Sequence, residues 1–352
     1  MRRFDSLSPQ LLRVLALVAV LGLVILFFGS VIDNYYSARL FNRISTSVAV
    51  MTLIATGQAL VVLTRNVDLS VGSIVGFTAF FTGDLLAGSP ELHPLLAVGA
   101  AVLAGGVLGA FNGLVVAYGR VPAIIATLGT LALYRSLLVE YSGAQSITTN
   151  VLPEWLLAMP RTTVVSFGDL DIRLTFAIAV AVVIVAHLAM TRLRVGRHFY
   201  AVGSNPEAAA MAGIDAPRTI FLAFVLSGML AGLAGFMFLA RFGNITVVAG
   251  LGFELQSVAA VVVGGVNIFG GSGTVIGAFL GAVLVDLINT SLVRWAVVSE
   301  FWREAVLGFL ILVSVAVDTL MMRRLLAWRL RRALAAETPS TPPRNPAAEE
   351  RP

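Results

Sequence analysis

Residues 63 to 76 read LTRNVDLSVGSIVG and place Arg65, Asn66 and Asp68 between runs that are almost wholly apolar. A charge at the centre of a bilayer costs about 2.5 to 3.5 kcal/mol even on the gentler scales. The triplet therefore belongs either to a soluble protein or to a turn at the edge of a membrane. Other polar residues interrupt apolar stretches further along. Asp84, Glu254 and Asp286 are the carboxylates that could relay a proton or sodium ion. Gln58, Asn112, Thr127, Thr130, Gln256 and Asn289 are neutral groups suited to lining the path of a neutral solute, although each taken alone reads first as joining one helix to another. His93, His187 and His198 are far apart without metal-ligand spacing, and no catalytic constellation is visible.

Composition selects the membrane. Of 352 residues 58% are hydrophobic and only 12% charged, against roughly 25% charged in an average soluble domain, and the mean hydropathy is +0.92. The net charge of +5 does not point to nucleic acid, because the arginines are dispersed between apolar runs and form no basic face. Cysteine is absent, which excludes disulfides, thiol nucleophiles and cysteine metal sites. Lysine is absent too: all 24 basic residues are arginine. A phosphate-cradling Gly-x4-Gly-Lys-Ser/Thr loop cannot exist without its lysine, so ATP hydrolysis by that route is excluded.

About twenty apolar residues cross the hydrocarbon core as a helix. That length predicts an all-α polytopic membrane protein with about ten transmembrane helices: 11–29, 44–63, 68–87, 94–118, 123–141, 173–190, 219–240, 250–268, 273–293 and 303–322. The first follows a basic leader but lacks a small-x-small cleavage site, so it is read as a retained span. With both termini cytoplasmic, sixteen arginines fall inside and eight outside or at span ends, and the short stretch 190–198 with three arginines lies inside. This orientation divides the chain into a cytoplasmic N-terminus at 1–10, a membrane domain at 11–322 and a largely disordered cytoplasmic tail at 323–352, rich in Pro, Ala and Glu.

The opening triplet then falls at a cytoplasmic turn between the second and third spans, with its polar groups reaching water or headgroups. Asp68 reads as an N-cap accepting a backbone N–H of the next helix, in preference to a direct role in a transport path. Ser70, Gly72, Ser73 and Gly76 let neighbouring helices approach. The four-residue spacings of Gly105, Gly109 and Gly113, of Gly228 and Gly232, and of Gly277 and Gly281 mark further helix contacts, within one chain or between two. A short internal echo relates 66–77 to 267–279, pairing Asn66 with Asn267, Gly72 with Gly273 and Gly76 with Gly277. Residues 142–172 read as an external loop with an interfacial apolar element.

Between the sixth and seventh spans, the inner loop 191–218 contains GSNPEAAAMAGID. Asn205 is a cap, Pro206 the first helical position, Glu207 an acid where the helix dipole favours one, and Gly213 the stop. Ala208, Ala209, Ala210 and Ala212 give a smooth face. Such a helix fits a groove on another protein, and equally serves as an interfacial connector.

Four ordered stretches carry a resemblance: TRNVDLSVGS (64–73), FNGLVVAYGRVPAIIATLGTLALYRSL (111–137), GRHFYAVGSNPEAAAMAGI (196–214) and AAVVVGGVNIFGGSGTVIGAFLGA (259–282). From about residue 45 to about 318 the chain resembles the inner-membrane permeases of bacterial ABC importers for monosaccharides, the ribose, arabinose and xylose branch. It is similar in wording to the permeases for rhamnose and for a furanosyl quorum-sensing signal. Arg135-Ser136 stands where many relatives carry Arg-Gly.

The resemblance implies a non-catalytic subunit in the bacterial inner membrane, without a cofactor of its own. Its partners would be ABC-type ATPase subunits that bind ATP-Mg, a second permease copy or a sister permease, an extracytoplasmic sugar-binding protein and membrane lipid. Asn205, Pro206, Glu207, Ala208, Ala209, Gly213 and Ile214 inherit the role of the coupling helix that docks on the ATPase, and selectivity would reside largely in the binding protein. Arg65, Asn66, Asp68, Ser70, Gly72 and Ser73 form the signature turn. The rival reading is an ion-coupled secondary transporter of a small polar solute, which would use Asp84, Glu254 or Asp286.

Overall fold

The computed structural model describes residues 9–295 and isolated helical positions between 302 and 316. Residues 1–8, most of the expected tenth span and the tail from 323 lie outside the described residues. Within them the chain is a helical membrane domain in which eight helices are long and apolar enough to cross a bilayer.

The helices begin where local chemistry starts them. Helix α1 is Pro9–Val31, and α2, Ala38–Leu63, begins at Ser37, whose hydroxyl accepts Leu40 N–H. Helix α3 is Val71–Gly88; α4, Pro94–Gly113, is capped by the His93 imidazole and continues into a π turn, Leu114–Tyr118; α5 is Ala123–Ser142. After the short α6, Glu154–Ala158, strands β1, Thr163–Phe167, and β2, Leu170–Arg173, pair as an antiparallel hairpin. Helix α7 is Leu174–Arg192, followed by α8, Arg194–Ser204, and α9, Pro206–Met211. Asp215 caps α10, Ala216–Phe242; α11 is Phe253–Val263; Thr274 caps α12, Val275–Arg294.

Helix α2 is the buried axis, closed in along almost its whole length, and α10 packs against α2, α3 and α4. The glycine spacings explain this proximity. A Cβ on Gly105 would strike the Gly228 carbonyl, one on Gly109 the Phe224 carbonyl and one on Gly228 the Gly105 carbonyl, so α4 and α10 touch backbone to backbone. Gly277 and Gly281 meet Gly264 and Ala260 in the same way, joining α12 to α11. These contacts lie within one chain.

The structure corrects two readings. The apolar run 250–268 is not a full helical span: only Phe253–Val263 is helical, and Gly250, Gly252 and Gly265 take positive φ values of 75°, 86° and 80° around it. Ile245 bridges to Ile147 near Gly83, whereas Gly250 and Ala249 lie against Gly72 and Gly76. The segment thus enters from the hairpin end in irregular form, runs along α3 and becomes helical only beside Gly72, at the start of α3. Such backbone is tolerated at membrane depth only inside protein, and here Arg135 of α5 donates to the carbonyls of Val247 (2.8 Å) and Ala249 (2.7 Å). Arg135 is therefore an internal clamp rather than an outer-surface charge. The second correction is the β-hairpin in the loop expected at 142–172, anchored by Asn42, whose side-chain oxygen accepts Asp171 N–H at 2.9 Å.

Candidate functional site

Two features at opposite ends of the domain carry chemistry. The first is a polar cavity of about 470 Å³ between α2, α10, the irregular strand before α11, α11 and α12. This falls in the range of roughly 300–1,000 Å³ typical of small-molecule sites. Arg43, Arg241 and Arg294 stand around it, together with Ser47, Gln256, Asp286 and Asn289. Asp286 lies eight residues before Arg294 on α12, about 12 Å along the axis, so the cavity reaches from the hairpin end towards mid-membrane. Ser47 donates to Asp286 Oδ1 at 2.6 Å, and Asn289 donates to Gln256 Oε1 at 3.1 Å. Asp286 Oδ2 and Asn289 Oδ1 are shielded from solvent and have no partner. Among the described residues no ion pair within 4.0 Å joins Arg43 or Arg241 to Asp286.

The six neutral candidates divide between two places. Gln256 and Asn289 line the cavity. Gln58, Asn112, Thr127 and Thr130 are buried and surround the turn after α2 instead. With its amide oriented to satisfy both groups, Gln58 donates to Asp68 O (3.1 Å) and accepts from Asp68 N (3.3 Å). Asn112 donates to Ser70 Oγ at 2.7 Å and accepts from the Tyr134 hydroxyl at 3.0 Å. Thr127 donates to the carbonyls of Ala123 (2.7 Å) and Val67 (3.3 Å), and Thr130 donates to Thr127 O at 3.3 Å.

That turn is not open to water. Asp68 is 0% exposed, because the chain folds back beside Gln58 before α3 begins. Its Oδ1 accepts from the Ser70 backbone N–H (2.9 Å) and hydroxyl (2.7 Å), making an Asx turn before the helix rather than capping the first helical turn itself. Burial is the main cause that pushes the carboxyl up to about 6, the Ser70 bonds opposing it. Asn66 folds back on Thr64 O at 2.9 Å, and Ser73 donates to Leu131 O at 3.0 Å. Gly72 packs against Gly250.

The second feature is the end carrying α8 and α9. Arg65, at a left-handed φ of 66°, donates from Nε to Gly203 O (2.5 Å) and from Nη2 to Ser204 O (2.6 Å). Gly271 N–H donates to Leu63 O at 3.0 Å, so the two echoing turns meet beside the residues that lead into α9. Asn205 Oδ1 accepts from Glu207 N and Ala208 N, both at 3.0 Å, with Pro206 at the helix start. Gly213, at φ 78°, ends the helix; its N–H reaches Ala210 O and that of Ile214 reaches Ala209 O. Ala209 faces inward, whereas Glu207 and Ala208 are exposed. Met211 is 90% exposed at the tip, an apolar contact that the sequence reading passed over.

Of the carboxylates proposed for ion coupling, Asp84 is held by the Tyr141 hydroxyl at 2.7 Å at the hairpin end. Glu254 accepts Gly252 N–H at 3.2 Å. Only Asp286 lines the cavity. Among the described residues no group of three metal-ligating side chains is assembled.

Comparison with known proteins defines the class. The family model described as "Branched-chain amino acid transport system / permease component" matches residues 40–315. The chain belongs to this family of permeases of bacterial ABC importers, a non-catalytic multi-pass subunit of the inner membrane. Its relatives include the autoinducer 2 import system permease protein LsrC of Klebsiella pneumoniae, 38% identical over 327 residues that cover 92% of this chain and 90% of the relative. The LsrC of Enterobacter sp. strain 638 is 36% identical, covering 88% and 87%, and that of Escherichia coli K12 is 35% identical, covering 93% of each chain. No solved structure matches the chain.

Proposed function

We propose that this permease moves a furanosyl or other monosaccharide solute, such as a pentose, a deoxyhexose like rhamnose or a furanosyl signalling sugar. A second permease subunit completes the path, two ABC ATPases that bind ATP-Mg drive it from the cytoplasm, and a sugar-binding protein delivers the solute from outside. The carrying observation is the cavity. A space walled by Arg43, Arg241 and Asp286 and open beside the exposed side chains of Val248, Leu251 and Val293 cannot face lipid. A protein surface must close it, and a second copy of this chain or a sister permease has the matching membrane depth.

The orientation is read with both termini cytoplasmic. Helices α10 and α12 both run towards the hairpin end, so residues 243–274 return across the membrane between them. That return gives a ninth crossing, half irregular and half helical, and the expected span at 303–322 would be the tenth. The flanking regions 1–10 and 323–352 are assigned to the cytoplasm on the same basis, and α8, α9 and the loop 191–218 face the ATPase. In this reading Asn205, Pro206, Glu207, Ala208, Ala209, Gly213 and Ile214 form the coupling helix. Its motion passes through Gly203 and Ser204 to Arg65, and so to the turn between α2 and α3. Arg65, Asn66, Asp68, Ser70, Gly72 and Ser73 are the rigid receiver of that motion. Gln58, Asn112, Thr127 and Thr130 brace the receiver, and Gln256 and Asn289 face the solute.

Uptake of radiolabelled solute by whole cells tests this. It should survive a protonophore and vanish when the partner ATPase gene is deleted; loss to the protonophore alone would establish the ion-coupled rival. Glu207→Arg and Gly213→Leu should abolish uptake while normal amounts of permease reach the membrane. Undiminished uptake in both variants would remove the coupling assignment.

A further inference from the structure

A carboxylate oxygen without a partner, closed off from water inside a membrane, is costly unless something completes it. Asp286 presents such an oxygen, Asn289 presents a second acceptor three residues later, and both residues line the cavity. Positions three apart on a helix share one face, with Cβ atoms roughly 5–6 Å apart. Hydrogen bonds already present engage the other end of each side chain: Ser47 donates to Asp286 Oδ1, and one of the two Asn289 amide N–H groups donates to Gln256 Oε1. The two oxygens left without a partner are both acceptors, and acceptors call for O–H or N–H donors from a guest. Arg43 and Arg241 also line the cavity, make no ion pair within 4.0 Å of Asp286 among the described residues although the Arg241 charge acts on it, and offer donors only. A hydroxyl is the group that both donates and accepts, so a ring bearing adjacent hydroxyls fits both sets of groups.

We infer that the permease carries its own solute site, in which Asp286 and Asn289 accept hydrogen bonds from two adjacent hydroxyls of a small polyhydroxylated ring while Arg43 and Arg241 donate to its oxygens. The inference rests on the import reading above and deepens it: discrimination for hydroxylated rings is exercised a second time inside the membrane, after the binding protein has made its own selection.

The test uses the whole importer, permeases with ATPases, purified in lipid nanodiscs without the binding protein. Saturation-transfer NMR is recorded with methyl β-D-ribofuranoside, which has neighbouring ring hydroxyls, and with its 2,3-dideoxy counterpart. The wild type should give a signal with the first at least about tenfold stronger than with the second, since a hydrogen bond to a charged group contributes enough for that ratio. Asp286→Asn should lower the ribofuranoside signal by about tenfold or more in a complex that still assembles and hydrolyses ATP. Should Asp286→Asn not assemble, Asn289→Leu decides, with a loss of about threefold to tenfold expected for a neutral hydrogen bond. No wild-type signal, equal signals for the two probes, or an unchanged signal in an assembled variant would overturn the inference. If those results came from an importer whose uptake still required its ATPase, the intramembrane site would fall and the import reading would stand.

Discussion

Asp68 and Asp286 invite comparison because they begin alike and end differently. Each sits within the membrane domain, each has one oxygen bonded to a serine, and each has a second, buried oxygen without a partner. Around Asp68 the protein closes completely: Gln58 grips its backbone, and Asn112 and Tyr134 extend the network through Ser70 to α4 and α5. Around Asp286 the protein opens into a cavity with arginines on its walls. A buried acid in a membrane protein is a functional candidate by default. The contrast shows that surroundings, and not the acid itself, decide whether it holds helices together or waits for a solute.

The sharpest way to break the comparison is to make one conservative change at both positions. Asp286→Asn removes the charge and one acceptor from a residue of the cavity wall and should slow transport about tenfold to a hundredfold, the worth of one charge-assisted hydrogen bond. Asp68→Asn keeps the acceptor for the Ser70 N–H and hydroxyl and should leave the rate within about twofold. Uptake kinetics normalised to permease in the membrane reads both. Equal losses at the two sites would erase the distinction.

A smaller effect separates them by pH. The Asp68 carboxyl is raised from its ordinary range to about 6, so between about pH 4 and 6 the folded protein holds a proton that the unfolded chain has released. Stability is therefore highest below that window, falls as pH rises through it and levels off above. The raised carboxyl accounts for a change of about 3 kcal/mol over that interval. Asp68→Asn should lessen this slope in thermal unfolding curves recorded at pH 4.5 and 7.5; a slope unchanged by the substitution would place its origin elsewhere.

Much of this was legible in the chain. Eight of the ten expected spans coincide with long helices, and the caps at Asn205, Pro206 and Gly213 stand where the residue types put them. The run 250–268 misled because hydropathy is the same for a helix and for an irregular strand buried in protein. The signal was the glycines at 250, 252 and 265, which take left-handed backbone in the structure. The hairpin had a signal too, alternation across TVVSFGDLDIR with Gly168-Asp169 at the turn. The cavity had none, since Arg43, Arg241 and Asp286 come from three helices far apart in sequence. Arginines also carry topology information, so Arg43, Arg135 and Arg241 were all counted towards orientation, although two line the cavity and one clamps an internal strand.

The smallest predicted effect tests whether the Asp68 network is purely a brace. Tyr134 donates its hydroxyl to Leu108 O (2.8 Å) and Asn112 Oδ1 (3.0 Å), and its ring is 2% exposed. Tyr134→Phe keeps the ring and its packing and deletes only the hydroxyl, leaving the Asn112 oxygen short of a donor in a closed interior. The expected cost is about 1 to 2 kcal/mol of stability, read as a lower unfolding temperature of the purified permease, with transport per folded molecule unchanged. Asn112 would still donate to Ser70 Oγ, so the turn that receives motion from α9 should keep its shape. A transport defect larger than the stability loss would show that this network takes part in the conformational cycle and does more than hold α3, α4 and α5 in register.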